Sequence, residues 1–524
     1  MTADLILKNG RFFTLSPECP WTSAVAIKDG RIVALGDEAL GLDGPKRDLE
    51  GRTVVPGFTD SHIHLIYYGN SKLRWADLGG CRSISEIQDR LRKHAEKRPS
   101  EWILGIGFDH EILAERRFPT RHDLDEVSRD AAGASAAGAS IPISRDIPIC
   151  RDKPVFIVRL CGHACVANSK AIELAGAEKL PYPGRETGLF TENDPGPIWL
   201  KIPDTTFEQT VEATLYAANQ ARATGITCAH CLINSMDDLQ AIRHLHGSGK
   251  LPIRFYVQVS YEMFAKLKDE GFKSGMGDDM MRIGSAKIFA DGSMGASTAA
   301  LTEDFLDSPV NRGILLHTDE QLAEMVRNVH LAGWQAAIHA IGDRAVGQAV
   351  DAIEAALNET GESNLVRRHR VEHASILSEE LVERMARLKI VAAVQPQFVI
   401  TDFWTINRVG PERYRWSYPF KTMMEKGIPM SLGSDCPVER LDAFELIYRA
   451  VNRDEYSPNE RLSVEEVIRL YALGGAHASF QESVRGSLEP GKLADIVILD
   501  RDIFNIPASE IAECRAEQVL VSGR

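Results

Sequence analysis

Residues 56–65, PGFTDSHIHL, close an apolar run with two histidines, His62 and His64, set two positions apart. On a strand, residues i and i+2 share a face, so both imidazoles can reach one cation. Two surface histidines following a strand would leave the same spacing. Further along the chain come the short apolar runs GITCAH (225–230), PIRFYVQV (252–259), RIGSAKIFA (282–290), QAAIHAIG (335–342), HRVEHA (369–374), KIVAAVQP (389–396) and IPMSLGSD (428–435). Amphipathic stretches with helix signals separate several of them. Thr205 with Glu208 suggests a capping box before a run stopping at Gly225, and Thr318 with Gln321 suggests another before Gly333. Strand followed by helix, repeated from about Gly225 to about residue 478, predicts a parallel α/β domain. The span matches the roughly 250 residues of a (β/α)8 TIM-like barrel.

Outside that span the pattern changes. DLILKNGRFFTL and SAVAIKDGRIVALGD near the start, and GSLEPGKLADIVILD near the end, are β-type runs punctuated by Asn9-Gly10, Asp29-Gly30 and Pro490-Gly491. They predict a small β-sandwich from both termini, residues 1–55 and 479–524, around a barrel of residues 56–70 and 225–478. The long interval after the first barrel strand holds EWILGIGF and PVFIVRL, too much chain for a loop. Residues 71–224 are expected to form an inserted α+β domain. Within it, the Ala/Gly/Ser-rich stretch at 131–140 reads as a surface loop.

The 524 residues carry 60 Lys+Arg against 74 Asp+Glu, a formal charge of −14, which argues against nucleic acid as a partner. With 44% hydrophobic and 26% charged residues, the chain has the composition of a soluble globular protein. No apolar window suits a membrane span, and the start lacks the pattern of a secretory signal, so a cytoplasmic location is expected. The odd count of nine cysteines suggests reduced thiols. Cys161 with Cys165 and Cys228 with Cys231 could imitate a zinc or redox site, but buried packing thiols fit their strand-end positions better. The expected partner is a small-molecule substrate, with neither nucleic acid nor membrane, and a homo-dimer is left open.

Polar residues recur at the carboxyl ends of the barrel-type runs: Lys287 in SAKIFADGS, His339 in AAIHAIGD, His373 in RVEHA and Asp435 in LGSDCPV. That end is where barrel enzymes place their active sites. Taken singly, each has a structural alternative: a paired lysine, a hydrogen-bonded histidine, a helix-capping aspartate. Four such residues at one face beside the His62/His64 pair point to a common site. Asp343 reads either as an orienting group for His339 or as the amino-terminal carboxylate of the next helix. His477 reads as structural.

In order, HxH on the first strand, Lys on the fourth, His on the fifth and sixth, and Asp on the eighth resemble the amidohydrolase superfamily with a two-metal centre. KIFADGSMGASTAAL (287–301), IHAIGDRAV (338–346) and GHACVANSKAIELAG (162–176) resemble its YtcJ-like branch, which includes N-substituted formamide deformylases. The likeness covers nearly the whole chain. It implies that His62 and His64 hold a buried metal, His339 and His373 a more exposed one, and an Nζ-carboxylated Lys287 bridges the two. It also implies that Asp435 binds the buried metal and acts as the catalytic proton shuttle. Two divalent ions, with zinc the expected metal, would generate hydroxide at neutral pH. His163 and Asp291 are candidate substrate-binding residues, although turn formation or helix capping would also account for them. The implied reaction is hydrolysis of a non-peptide C–N bond in a small N-substituted amide or formamide. The same barrel could act on a cyclic amide, ester or carbamate, or catalyse a decarboxylation, and a non-catalytic metabolite-binding regulator is a third reading.

Overall fold

The apolar runs form eight parallel strands, each paired with the next in chain order: Phe58–Ile63, Ile226–Ile233, Arg254–Ser260, Met281–Phe289, Ala336–Ala340, Arg370–His373, Val391–Val394 and Met430–Leu432. The structure, a computed structural model, describes residues 2–97, 100–128, 153–160, 162–177, 183–191, 196–453 and 457–524. The Ala/Gly/Ser-rich stretch at 131–140 and Cys161 lie outside these residues. Every residue of the first, second, fifth, sixth, seventh and eighth strands is buried, and the second, fifth and seventh accordingly read as near-continuous rather than alternating apolar runs. The eighth strand returns to the first. Ser61 Oγ donates to Leu432 O at 2.8 Å, Asp435 N donates to His62 O at 2.8 Å, and Ser434 N donates to Asp60 Oδ1 at 3.0 Å. The result is a TIM-like barrel.

Helix ends follow their local chemistry. Thr318 and Gln321 form a reciprocal capping box at the start of Asp319–Leu331, and Gly333 follows that helix with a φ of +78°. The other expected box falls one residue later than the sequence reading: Thr206 and Gln209 exchange the bonds, so that the helix begins at Phe207.

Both termini contribute to one seven-stranded sheet. Its path runs through Ala516–Leu520, Ile496–Leu499, Thr53–Pro56, Leu5–Phe13, Trp21–Lys28 and Arg31–Leu35, with Lys46–Asp48 pairing off that path to Leu5–Phe13. Alternation gives it two apolar faces. Leu7, Val25 and Ile27 share one cluster with Ile496 and Ile498, while Ile6, Ala24 and Ala26 share the other with Ala34 and Ala39. Asp29-Gly30 makes the expected turn, with φ of +49° and +74° between paired strands. Asn9-Gly10 does not: it lies inside Leu5–Phe13, where Asn9 has a φ of +52° and the pairing register shifts between Lys8 and Phe12. It is a bulge rather than a hairpin loop.

The chain divides into two compact units, residues 1–66 with 214–524, and residues 67–213. The second has its own five-stranded mixed sheet, in the order Leu189–Thr191, Ala164–Ala167, Val155–Arg159, Ile103–Phe108, Ala76–Asp77. Its core includes Leu78, Leu91, Phe108 and Ile157 on one side and Phe156, Val158 and Phe190 on the other. No helix among the described residues is long and apolar enough to cross a membrane.

Inside the larger unit, barrel and terminal sheet are bolted by charge. Arg254, on the third barrel strand, donates from Nε and Nη2 to the two oxygens of Asp495, both at 2.7 Å, and from Nη2 to Ser522 Oγ at 2.6 Å. Both partners are buried. Asp495→Ala should leave that guanidinium uncompensated and destabilise the unit by about 3–5 kcal/mol, whereas Arg254→Met with Asp495→Leu should recover most of the loss. Urea unfolding followed by circular dichroism checks both outcomes.

Candidate functional site

The carboxyl ends of the barrel strands bring together residues far apart in sequence. His62 is at the end of the first strand and His64 just beyond it, so the strand period turns both rings inward. His62 Nε2 is 3.4 Å and His64 Nε2 3.2 Å from Asp435 Oδ1, and the donor atoms of these three residues all lie within 4.8 Å of one another. Past His62, the His373 ring centre is 4.9 Å away, and that of His339 a further 4.5 Å from His373. Phe289 is 5.2 Å from the His339 ring, and Lys287 Nζ is 4.9 Å from the Phe289 ring.

Two of these positions hold left-handed backbone. His373 has a φ of +72° and Asp435 a φ of +58°, a conformation uncommon for residues other than glycine. It is kept where the surrounding structure fixes it, and such positions cluster at functional sites.

Burial makes the electrostatics severe. Lys287 is 1% exposed and its Nζ has no hydrogen-bond partner. Burial pushes its amine down to about 8, against the opposing pull of Glu372 and Asp435. Burial also opposes the charge on Asp435, yet the facing His62, itself raised by Glu372 and Asp435, holds that carboxyl well below the usual carboxylate range. His64 and His373 are driven down by burial, His373 strongly, so both are neutral imidazoles with lone pairs to offer. Asp435 Oδ1, His373 Nδ1 and Lys287 Nζ are buried without hydrogen bonds. Such groups are costly unless something else meets them. An anionic oxygen and neutral nitrogens converging in this way suit a divalent cation, so the residues present fit a metal cofactor.

Other side chains orient this set. Glu372 Oε2 meets His62 Nδ1, placing the ring proton there and leaving Nε2 to face Asp435. Arg370 binds Glu372 through Nε and, at 3.0 Å, through Nη2; its Nη2 also reaches Ser61 O at 2.5 Å and its Nη1 lies 3.1 Å from His230 Nδ1. Despite burial, Arg370 and His62 hold the Glu372 carboxyl far below its ordinary range. Sequence reading passed over both residues, although Arg370 and Glu372 stand two apart on one face of a short apolar strand, and that was the available signal. Asp60 is a further addition. Its Oδ1 accepts from Ser434 N at 3.0 Å and His62 N at 3.3 Å, and burial pushes its carboxyl up to about 6.

Asp291 is 0% exposed, and its two oxygens accept from Ala300 N, Ile341 N and Gly342 N at 2.8–3.0 Å. Its Oδ1 also lies 3.5 Å from His339 Nε2, so Asp291 ties down the loop after His339 directly beside a ring of the cluster. His339 Nε2 donates to the neighbouring Gly292 O at 3.0 Å, leaving Nδ1 with the lone pair. His163 is partly exposed and belongs to the second unit, just before Ala164–Ala167. Asp343 opens the helix Asp343–Thr360 and accepts from Thr302 N at 2.9 Å, in line with the helix-start reading. Cys228 and Cys231 are buried on the second strand, and burial pushes Cys231 up to about 12, the behaviour of packing thiols.

The model of the amidohydrolase family matches residues 47–141 and 147–524. The chain belongs to the amidohydrolase family. The Bacillus subtilis protein YtcJ is 30% identical over 99% of this chain and 98% of its own, which places the chain in the YtcJ-like branch. An N-substituted formamide deformylase of Arthrobacter pascens is 26% identical over 99% of this chain and 97% of its own. Among solved structures, an uncharacterized metal-dependent hydrolase from Pyrococcus horikoshii matches with a TM-score of 0.77 and 30% identity, covering 96% of this chain and 99% of that one. The protein is a hydrolase of this family.

Two outcomes follow. In the metal-free protein, Lys287 is depressed from 10.5 to about 8, so between those values the unfolded chain binds the proton that the native state has released. Stability should therefore rise with pH across that window, by on the order of 3 kcal/mol in total. Lys287→Met should abolish that part of the slope and be the more stable protein below pH 8, as read from the difference between the two pH–stability curves. Glu372→Gln should weaken metal affinity by about 10- to 100-fold, measured by competition with a chromogenic chelator.

Proposed function

We propose that the protein hydrolyses a non-peptide C–N bond in a small N-substituted amide, with formamides the leading class. The observation that carries this reading is the Asp435 carboxylate, ionised, buried and without a hydrogen bond on Oδ1, beside the Nε2 atoms of His62 and His64. The resemblance along the whole chain to an N-substituted formamide deformylase supports the substrate class.

His62, His64 and Asp435 would hold one divalent cation. His339 and His373 would hold a second, with Lys287 as an Nζ-carboxylate between the two, and zinc is the proposed metal. Bound there, divalent cations acidify water and polarise a carbonyl oxygen. The depressed Lys287 amine supports the carboxylate: a neutral Nζ attacks CO₂, a C–N bond forms and a proton is released, whereas an ammonium has no lone pair to do so. Glu372 keeps the His62 proton on Nδ1 throughout. Asp435 accepts a proton as water adds to the amide carbon, then delivers it to the nitrogen as the C–N bond breaks. Water and a formamide thus yield formate and an amine. Delivery to nitrogen matters because an unprotonated amine is a poor leaving group.

Phe289 and Phe398, the latter 6.2 Å from the His373 ring, give the histidine cluster apolar neighbours. Together they suit a substrate whose variable part is apolar.

The test is to count metals in the purified protein and measure amine and formate release from a panel of N-substituted formamides and small amides. Asp435→Asn should lower kcat by about 10²- to 10⁴-fold, the usual worth of a positioned proton donor and acceptor. Metal content measured on the same samples separates loss of the shuttle from loss of the ion. Turnover of esters or cyclic amides with no amine release from any acyclic amide would overturn the substrate class, and full activity in Asp435→Asn would overturn the shuttle.

A further inference from the structure

At the amino-terminal end of the barrel strands, opposite His62 and Asp435, the larger unit contains a cavity of about 260 Å³. Arg282 at the start of the fourth strand, Gln335 before the fifth, Arg367 before the sixth, and Ser479 and Phe480 after the last barrel helix all line it. Among the described residues, no carboxylate lines it. In a chain of formal charge −14, the lining itself carries two guanidiniums and no acid, the answering carboxylates standing outside it.

Neighbouring acids only partly answer that charge. Arg282 Nη2 stands 3.6 Å from Asp279 Oδ1, while the other oxygen of Asp279 is taken at 2.9 Å by Arg31. One carboxylate therefore serves two guanidiniums. Arg367 is tied to Glu362 through Nε at 3.0 Å and Nη2 at 3.1 Å, which leaves Nη1 on the side of Gly333. A Cβ on Gly333 would come 3.8 Å from that Nη1, an ordinary contact, so the guanidinium borders the glycine directly.

The wall opposite in character is Phe480. It has a φ of +59°, a strained conformation for a bulky side chain, and the Arg368 guanidinium lies 4.7 Å from its ring centre. The strain brings a flat apolar ring into a cavity whose charged wall is cationic. Gln335 and Ser479, each 1% exposed, supply a fixed polar floor: the Gln335 amide donates to Arg368 O at 2.6 Å and Ala478 O at 3.0 Å, and Ser479 Oγ receives Arg485 Nη2 at 2.9 Å.

We infer that this cavity is a second ligand site, which takes a small organic carboxylate with a flat apolar body. The carboxylate faces Arg282 and Arg367, and the body lies against Phe480. A molecule held here is at the wrong end of the barrel to meet the histidine cluster, so it is a ligand distinct from the substrate. The inference does not depend on which bond the active site cleaves.

Isothermal titration of the purified, metal-loaded protein with benzoate, benzamide and inorganic phosphate tests it. Benzoate is expected to bind, with benzamide and phosphate each at least roughly tenfold weaker. Arg282→Met and Arg367→Met should each weaken benzoate by roughly tenfold or more. Phe480→Gly, which removes the ring and relieves the backbone, should weaken benzoate while leaving phosphate unchanged. Asp435→Asn should keep this binding, which separates the cavity from the catalytic end; melting temperatures confirm that each variant is folded. Absence of benzoate binding, equal binding of benzamide, tighter binding of phosphate, unchanged affinity in both arginine variants, or loss in Asp435→Asn alone would each overturn the assignment.

Discussion

The barrel closes through the space left by Gly433. A Cβ at that position would fall 2.6 Å from the amide nitrogen of His62 and 2.8 Å from its Cβ, both closer than packed atoms tolerate. Without a side chain there, the eighth strand lies directly beside the first, and the next two residues bond across the seam to Asp60 Oδ1 and His62 O. Asp435 is then held in left-handed backbone with its carboxylate turned to the two histidines of the first strand. Fold closure and site assembly are one event. A larger residue at 433 would have to part the strands, and in doing so would draw the carboxylate away from both imidazoles.

That seam needs support from the interior. Arg370 and Glu372 are 0% exposed, and an ion pair so deep is weak evidence of net stability, because two desolvation costs stand against its attraction. Its worth is geometric. One carboxylate is shared between the guanidinium and His62 Nδ1, and the same guanidinium reaches Ser61 O on the first strand and His230 on the second. A hydrophobic pair of equal volume could fill the space, but it would not determine which nitrogen of His62 carries the proton. The barrel keeps a costly polar network where tautomer and ring orientation decide whether the site can bind a cation.

Periodicity and spacing made the barrel legible, because parallel strands buried on both faces leave unbroken apolar runs and their carboxyl ends stand out as polar interruptions. His62, His64, Lys287, His339, His373 and Asp435 could each be placed at such an end without coordinates. Asp435 and His62 are 373 positions apart, so no local pattern reveals that their side chains meet at 3.4 Å. Arg370 and Glu372 were hidden for a different reason: charged residues inside a four-residue strand lack the length for alternation to show. Asn9-Gly10 shows the limit of dipeptide rules, since Asn9 adopts the left-handed conformation the pair favours, but neighbouring strands turn it into a bulge. Asp291 is a pocket candidate in the sequence because it follows Lys287 by four. Its three backbone partners, which tie down the loop beyond His339, and its place 3.5 Å from His339 Nε2 come from the tertiary structure.

Buried polar atoms of the barrel are met in different ways. Near the amino-terminal end, His369 Nδ1 accepts from Ala336 N at 2.9 Å, which obliges Nε2 to donate to His330 Nδ1 at 2.9 Å and His330 Nε2 to donate to Thr360 Oγ1 at 2.8 Å. Arg485 is likewise held by Thr59, Gln481 and Ser479. At the carboxyl end, by contrast, Lys287 Nζ, His373 Nδ1 and Asp435 Oδ1 have no hydrogen-bond partner. Satisfied networks of this kind stiffen their surroundings, while the carboxyl end keeps polar atoms of its functional residues unmet and its backbone strained. A site that had already satisfied its own donors would have nothing left to offer a cation, a water molecule or a carbonyl; the unmet atoms are therefore the part of the structure that the reaction uses.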